Sequence, residues 1–305
     1  MSYRASAPGS LMLLGEYAVL YGKQALVCAV NKRITVTLTP RMDDQIHIQS
    51  GLFGDYKTSL SALMVEKPYP FILAALYHHQ SRLKRGCDIE VSSNFSDQVG
   101  LGSSAAVTVA MLAVLIAWLG IRSSLLDLTH QARQVIRSVQ GIGSGADAAA
   151  AVHGGIVGYQ PHPLVVEKFS VNCPLTVLYA GFKTPTVEAI KHVQQQFTGH
   201  PHIFRSLMQS IGQCAVDAMP WVRKSEWVQV GEIMTMQQGL MQALGVNTPI
   251  LEQLIATLRD ASGMLGAKIS GSGLGDCVVG LGKSIMHPAA IPLEITLQGV
   301  HCDRV

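Results

Sequence analysis

Apolar and polar positions alternate in short bursts through the first fifty residues. Ala25-Leu26-Val27-Cys28-Ala29-Val30 is continuously apolar, as in a buried strand. Ile34-Thr35-Val36-Thr37-Leu38 and Ile46-His47-Ile48 repeat with period two, and Leu11 to Leu14 adds a short apolar strand. Cys87 to Ser93 alternates again. Helical spacing runs from Pro68 to Leu83 and from Leu125 to Val139, the latter polar on one side through Asp127, Gln131, Arg133, Gln134 and Arg137. Between them, Ala105 to Leu119 is apolar all round except for Thr108, which predicts a fully buried helix. That run is shorter than the roughly 20 residues needed to cross a bilayer. After Leu164 the pattern predicts a strand at Leu175 to Ala180, helices over 187–197, 203–218, 226–244 and 249–262, and a strand at Val278 to Leu281. Met234, Met236 and Met241, at helical spacing, read as core. The whole is a mixed α+β chain without a linker, softly divided near 165 into parts 1–165 and 166–305 that share one cleft.

Three glycine-rich turns interrupt this pattern. Val99-Gly100-Leu101-Gly102-Ser103-Ser104-Ala105 joins the strand ending at Ser93 to the buried helix. Its glycines allow close backbone approach, and the unpaired N–H groups of a first helical turn at Ser103, Ser104 and Ala105 suit an anion. The two hydroxyls add donors or a ligand for Mg²⁺. The same letters match a dinucleotide-binding fingerprint, but no acid stands in Leu119-Gly120-Ile121-Arg122, where that fold needs one. A plain serine-capped helix start is the other reading. The Walker pattern is absent. Gln140-Gly141-Ile142-Gly143-Ser144-Gly145-Ala146-Asp147 puts an acid against a small-residue run, where it is either a helix cap or a working group. Lys268 to Cys277 holds the third cluster, and Glu16, beside an apolar strand, is either a satisfied carboxylate or part of a site.

Composition narrows the classes. Of 305 residues, 48% are hydrophobic and 14% charged, as in a well-buried globular protein and not a disordered one. A net charge of +3 with scattered basic residues excludes a nucleic-acid-binding stripe. Six widely spaced cysteines, with no C-x-x-C pair, fit a reducing cytoplasm and no zinc site. His78-His79 reads as a helix surface and His200-Pro201-His202 as a loop, not as metal ligands. No signal peptide or membrane span is expected.

Pro8-Gly9-Ser10-Leu11-Met12-Leu13-Leu14-Gly15-Glu16-Tyr17, Gly100 to Ala106 and Lys268 to Cys277, in that order and at those separations, resemble the GHMP kinase family, and within it the kinases of the mevalonate pathway. The resemblance implies a two-domain α+β fold. Its N-terminal domain resembles ribosomal protein S5 domain 2 with a left-handed βαβ crossover, and its C-terminal domain is ferredoxin-like. It further implies ATP with Mg²⁺, the phosphates lying on Gly100, Leu101, Gly102, Ser103, Ser104 and Ala105, and Ser104 as the metal ligand. Asp147 is then the catalytic acid residue near the acceptor hydroxyl, Ser10 belongs to the catalytic set with it, and Thr186, also of that set, lies close to the terminal phosphate. Glu16, Tyr17, Ser144 and Gly145 fall on the acceptor side, and Gly271, Ser272 and Gly273 close over the phosphates.

The chain departs from that pattern at Ser10, where a lysine is usual, at Tyr17 in place of histidine, and at Ile136, where mevalonate kinases commonly carry a Mg²⁺-binding glutamate. Gly275-Asp276-Cys277 is closer to phosphomevalonate kinases, whereas Leu240 to Val246 and the compact length are closer to mevalonate kinases. The expected partner is a small acceptor, mevalonate first and phosphomevalonate as the alternative. Lys183, Lys191, Arg33, Arg133 and Arg137 are available for a second phosphate. A non-catalytic nucleotide-binding homologue is a further reading, prompted by the missing lysine and glutamate. A homodimer is left open.

Overall fold

The computed structural model describes the chain except for Leu52, Asp97, Gln98, Lys283, Ser284 and Pro292. The first apolar segment is longer than its pattern suggests, since strand β1 spans Tyr3–Leu14. It pairs antiparallel with β2, Ala25–Pro40, which absorbs both segments expected there as separate strands. The polar break Asn31-Lys32-Arg33 is not a turn: the register jumps from Pro8↔Arg33 to Gly9↔Val30, a bulge that bends β2 without ending it. Next come β3 (Gln45–Ser50) and β4 (Gly54–Ser59), then helix α1 (Pro70–His78), shorter than expected, with one 3₁₀ turn behind it. β5 (Cys87–Ser93) runs parallel to β3 and antiparallel to β2.

Helix α2, Ser103–Trp118, is buried on nearly every side, lying on β1 and β2 beneath α1, α3 (Leu125–Gln140) and α4 (Ala146–His153). This explains its lack of a polar face: there is little water for one to meet. Ala148 to Ala151 are fully buried, and such small side chains let α4 press against β1, β2 and β6 (Ile156–Pro161). β7 (Leu164–Phe169) completes a hairpin with β6 in the same sheet.

The remainder builds a four-stranded antiparallel sheet ordered β11-β8-β10-β9, from β8 (Leu175–Tyr179), β9 (Met264–Ser270), β10 (Cys277–Gly282) and β11 (Ala290–Ile291). Around it lie α5 (Thr186–Gln196), α6 (Pro201–Lys224), α7 (Trp227–Ala243) and α8 (Pro249–Arg259). The chain then returns: Val300 N donates to Val152 O, and β12 (His301–Arg304) pairs with β1.

Two strands cross the soft division near 165. It would cut β7, which belongs to the first sheet, and the last strand rejoins that sheet. One apolar cluster also joins Leu11, Leu26 and Ile156 to Val177, Val230 and Val279. Met234 and Met241 are buried as expected, but Met236 is 65% exposed. His79 is buried rather than on a surface, and His202 lies in the first turn of α6 rather than in a loop. Among the described residues no helix is long and apolar enough to cross a membrane.

Candidate functional site

Ser10 is the pin of the first glycine turn. Its backbone N donates to Leu101 O at 2.9 Å, and its Oγ donates to Asp147 Oδ1 at 2.7 Å. Gly102 closes on it from above, with φ +65 and room for no more than hydrogen, because a Cβ would lie 2.1 Å from Ser10 Oγ. Gly102 is the residue before α2, so the free amides of that helix start, and the hydroxyls of Ser103 and Ser104, open into the cavity beyond.

The second turn supplies the acid. Gly145, at φ +92, has Tyr159 Oη against the place a Cβ would take, and Tyr159 Oη donates to Ser144 O at 2.6 Å. The turn is thereby fixed and α4 begins with Asp147 in its first turn, bonded to Ser10 in the cavity wall. Asp147 keeps some accessible surface because it walls the cavity. The surrounding protein still displaces bulk water, and burial pushes its carboxyl up, against the opposing pull of the Ser10 hydroxyl and the Lys183 charge. It is not a cap: no side-chain bond from it satisfies the start of α4, and Ser144 Oγ instead accepts from Ala146 N at 3.2 Å.

The other half of the chain closes the site. Asp276 sits at φ +71, a conformation a non-glycine residue holds only under local constraint, and its Oδ1 accepts from Gly100 N at 2.7 Å. Burial pushes the Asp276 carboxyl up as well. Tyr17, at φ +60, donates from its hydroxyl to Ser272 O, so the acceptor-side turn and the third glycine cluster are tied directly. Lys183, Thr186, Gly271 and Ser272 all wall the same cavity.

Glu16 is the exception among the expected site residues. It touches the cavity wall, yet its carboxylate is held by Lys268 Nζ and by Gln237 Nε2, all deeply buried. Burial pulls the Lys268 ammonium down, and the charge of Glu16 pulls it back. Gln237 Oε1 also accepts from Gly15 N at 3.0 Å. Glu16 is thus a tie between the two halves, the satisfied-carboxylate reading of the sequence.

The cavity measures about 350 Å³ and brings together Ser10, Glu16, Tyr17, Gly100, Gly102, Ser103, Ser104, Ala105, Ser144, Gly145, Asp147, Thr186, Gly271 and Ser272. Two expected residues are not among them. Leu101 turns into the apolar core, leaving only its carbonyl for Ser10, and Gly273 packs against Val246, where a Cβ would lie 2.7 Å from the Val246 carbonyl oxygen. Gln237 and Lys268, which hold Glu16, and Asp276 were not singled out from sequence. Only the Gly-Asp-Cys ending hinted at the last. A second cavity of about 230 Å³ adjoins the first at Ser103 and Ser104 and is walled by Ile34, Phe53, Tyr69, Phe71, Val91 and Phe95. Among the described residues no cluster of three or more His, Cys, Asp or Glu side chains is placed to hold a metal.

Comparison with known proteins identifies the family. The family described as "GHMP kinases N terminal domain" matches residues 70–155, and "GHMP kinases C terminal" matches 218–299. The chain is 32% identical to the mevalonate kinase of Archaeoglobus fulgidus over 302 residues, covering 98% of this chain and 99% of that one. Its fold superimposes on a Lin0012 protein from Listeria innocua with a TM-score of 0.86 at 20% identity, over the whole of both chains. The TM-score with the phosphomevalonate kinase of Streptococcus pneumoniae is 0.78 at 19% identity, over 92% of each. With the start of α2 and the Asp147 carboxylate walling one cavity, and with both halves matching that family, the chain belongs to the GHMP kinases and is an ATP-dependent kinase.

Proposed function

We propose that the protein phosphorylates mevalonate on its terminal hydroxyl, taking the phosphoryl group from ATP and releasing 5-phosphomevalonate and ADP. The observation that carries this reading is the Asp147 carboxylate, bonded to Ser10 and walling the same cavity as the start of α2. In this reading the amides from Gly102 to Ala105 hold phosphate oxygens, and the apolar second cavity takes the nucleobase against its aromatic wall. Asp147 Oδ2 orients the acceptor hydroxyl and receives its proton as the oxygen–phosphorus bond forms. The raised carboxyl suits that task, since a stronger base takes the proton more readily. Thr186 faces the terminal phosphate, and Ser144 with the amides opening α4 faces the acceptor carboxylate.

Hard oxygen donors suit Mg²⁺, which takes few protein ligands when substrate phosphates supply the others. Ser104 Oγ would hold it, and no glutamate stands at Ile136 to share the task. When bound, the ion neutralises charge on the phosphates.

Mevalonate is favoured over phosphomevalonate by the relatives' names and by charge. A phosphomonoester brings about two negative charges at neutral pH beyond the carboxylate. Of the five basic residues available for it, only Lys183 walls the cavity. Arg33 is committed to Ser6 and to the carbonyls of Gln298 and Gly299, and Arg133 to Pro161 O and His162. A coupled ADP-release assay offering each acceptor separately tests this. Turnover with mevalonate is expected, and turnover with phosphomevalonate alone would overturn it.

A further inference from the structure

The two cavities share three wall residues: Ser103, Ser104 and Lys183. The first two open α2. Lys183 comes from the opposite half, on the loop between β8 and α5. That loop is held on both sides of Lys183 by the third glycine cluster. Ala180 N donates to Asp276 O at 2.8 Å, Asp276 N donates to Phe182 O at 2.8 Å, and Thr184 Oγ1 donates to Leu274 O at 2.7 Å. The backbone under Lys183 is therefore fixed although its side chain is exposed.

Among the described residues walling either cavity, Lys183 is the one Lys, Arg or His side chain. Its charge is felt at both Asp147 and Asp276. Ser10 is neutral, and its hydroxyl is spent on Asp147. With a donor nucleotide in one cavity and an acceptor alcohol in the other, the phosphoryl group changes hands where the cavities meet. Negative charge gathers there, and one cation stands over it.

We propose that Lys183 is a catalytic residue whose ammonium binds the non-bridging oxygens of the phosphoryl group in flight. This rests on the nucleotide and acceptor positions given under Proposed function. In the step, the acceptor oxygen bonds to the terminal phosphorus while the bond from that phosphorus to its bridging oxygen breaks. The bridging electrons leave with the diphosphate, and the hydroxyl proton passes to Asp147. Lys183 keeps all its protons and contributes charge alone, where three equatorial oxygens share the developing negative charge.

The amides of α2 serve the phosphates that stay behind, whereas Lys183 serves the one that leaves. Losing it must therefore separate triphosphate from diphosphate. The test measures binding of ADP and of a non-hydrolysable ATP analogue by calorimetry on the full-length wild type, Lys183→Met and Lys183→Arg, beside steady-state turnover. For Lys183→Met, ADP affinity is expected to stay within about twofold, analogue affinity to fall about tenfold, and kcat to fall about 10²–10³-fold. Lys183→Arg should keep part of both losses at bay. Equal weakening of ADP and analogue, or a kcat within a few-fold of wild type, would overturn the assignment of Lys183 and leave the site reading standing. A wild type that binds neither nucleotide would overturn both.

Discussion

Two carboxylates a short distance apart in the fold have opposite fates. Glu16 meets a lysine and a glutamine in a dry interior, so its charge is neutralised and its lone pairs are occupied. Asp147 meets one hydroxyl and walls a cavity, the space the proposed function gives to the acceptor. Both residue types look alike in a motif. Partners, not identity, decide that the first ties the halves of the molecule together and that the second is the one proposed to act on what lies between them.

The sharpest way to break this contrast is Asp147→Asn. It keeps shape and loses the proton acceptor, so kcat should fall about 10³-fold or more while an ATP analogue still binds, as read by stopped assay and calorimetry. Normal turnover by that variant would make Asp147 a structural residue like Glu16. Lys268→Met attacks the other corner. It strands a buried carboxylate and should cost about 3–5 kcal/mol in urea unfolding, with part of the loss recovered when Glu16→Gln is added. A near-neutral Lys268→Met would mean that the tie contributes little.

The smallest effect is a shift on the pH axis. The proposed function needs Asp147 ionised, so kcat/KM should be lost as pH falls through its pKa. Burial raises that pKa, so the loss should begin at higher pH than for an ordinary aspartate. The Ser10 hydroxyl stabilises the charged form and holds the pKa down. Ser10→Ala should move the acid limb of kcat/KM further up, by about one unit or less. An unmoved limb would mean that the bond to Asp147 has no bearing on the base.

Much of this was legible in the sequence because it depends on local chemistry. Period-two alternation located β3 and β5, and an apolar run without a polar face located a helix buried on all sides. Glycines that must hold positive φ, such as Gly102 and Gly145, marked the turns that open α2 and α4. What escaped depends on distant pairing. Asn31 to Arg33 looks like a break between strands, and only its partner β1 shows it to be a bulge. Leu101 sits inside a glycine motif yet turns to the core, since Ser10 claims its carbonyl. Lys183 has no motif of its own. The role proposed for it rests on the loop after β8 sharing cavity walls with the start of α2, which no local pattern encodes. The return of strand β12 to the first sheet, long after β7, is likewise invisible to a local pattern.

The most direct test is a crystal structure of the protein with a non-hydrolysable ATP analogue and mevalonate bound together. The account predicts phosphate oxygens on the amides from Gly102 to Ala105 and the terminal hydroxyl of mevalonate within about 3 Å of an Asp147 oxygen. A triphosphate bound elsewhere, or an Asp147 carboxylate turned from the acceptor, would contradict it.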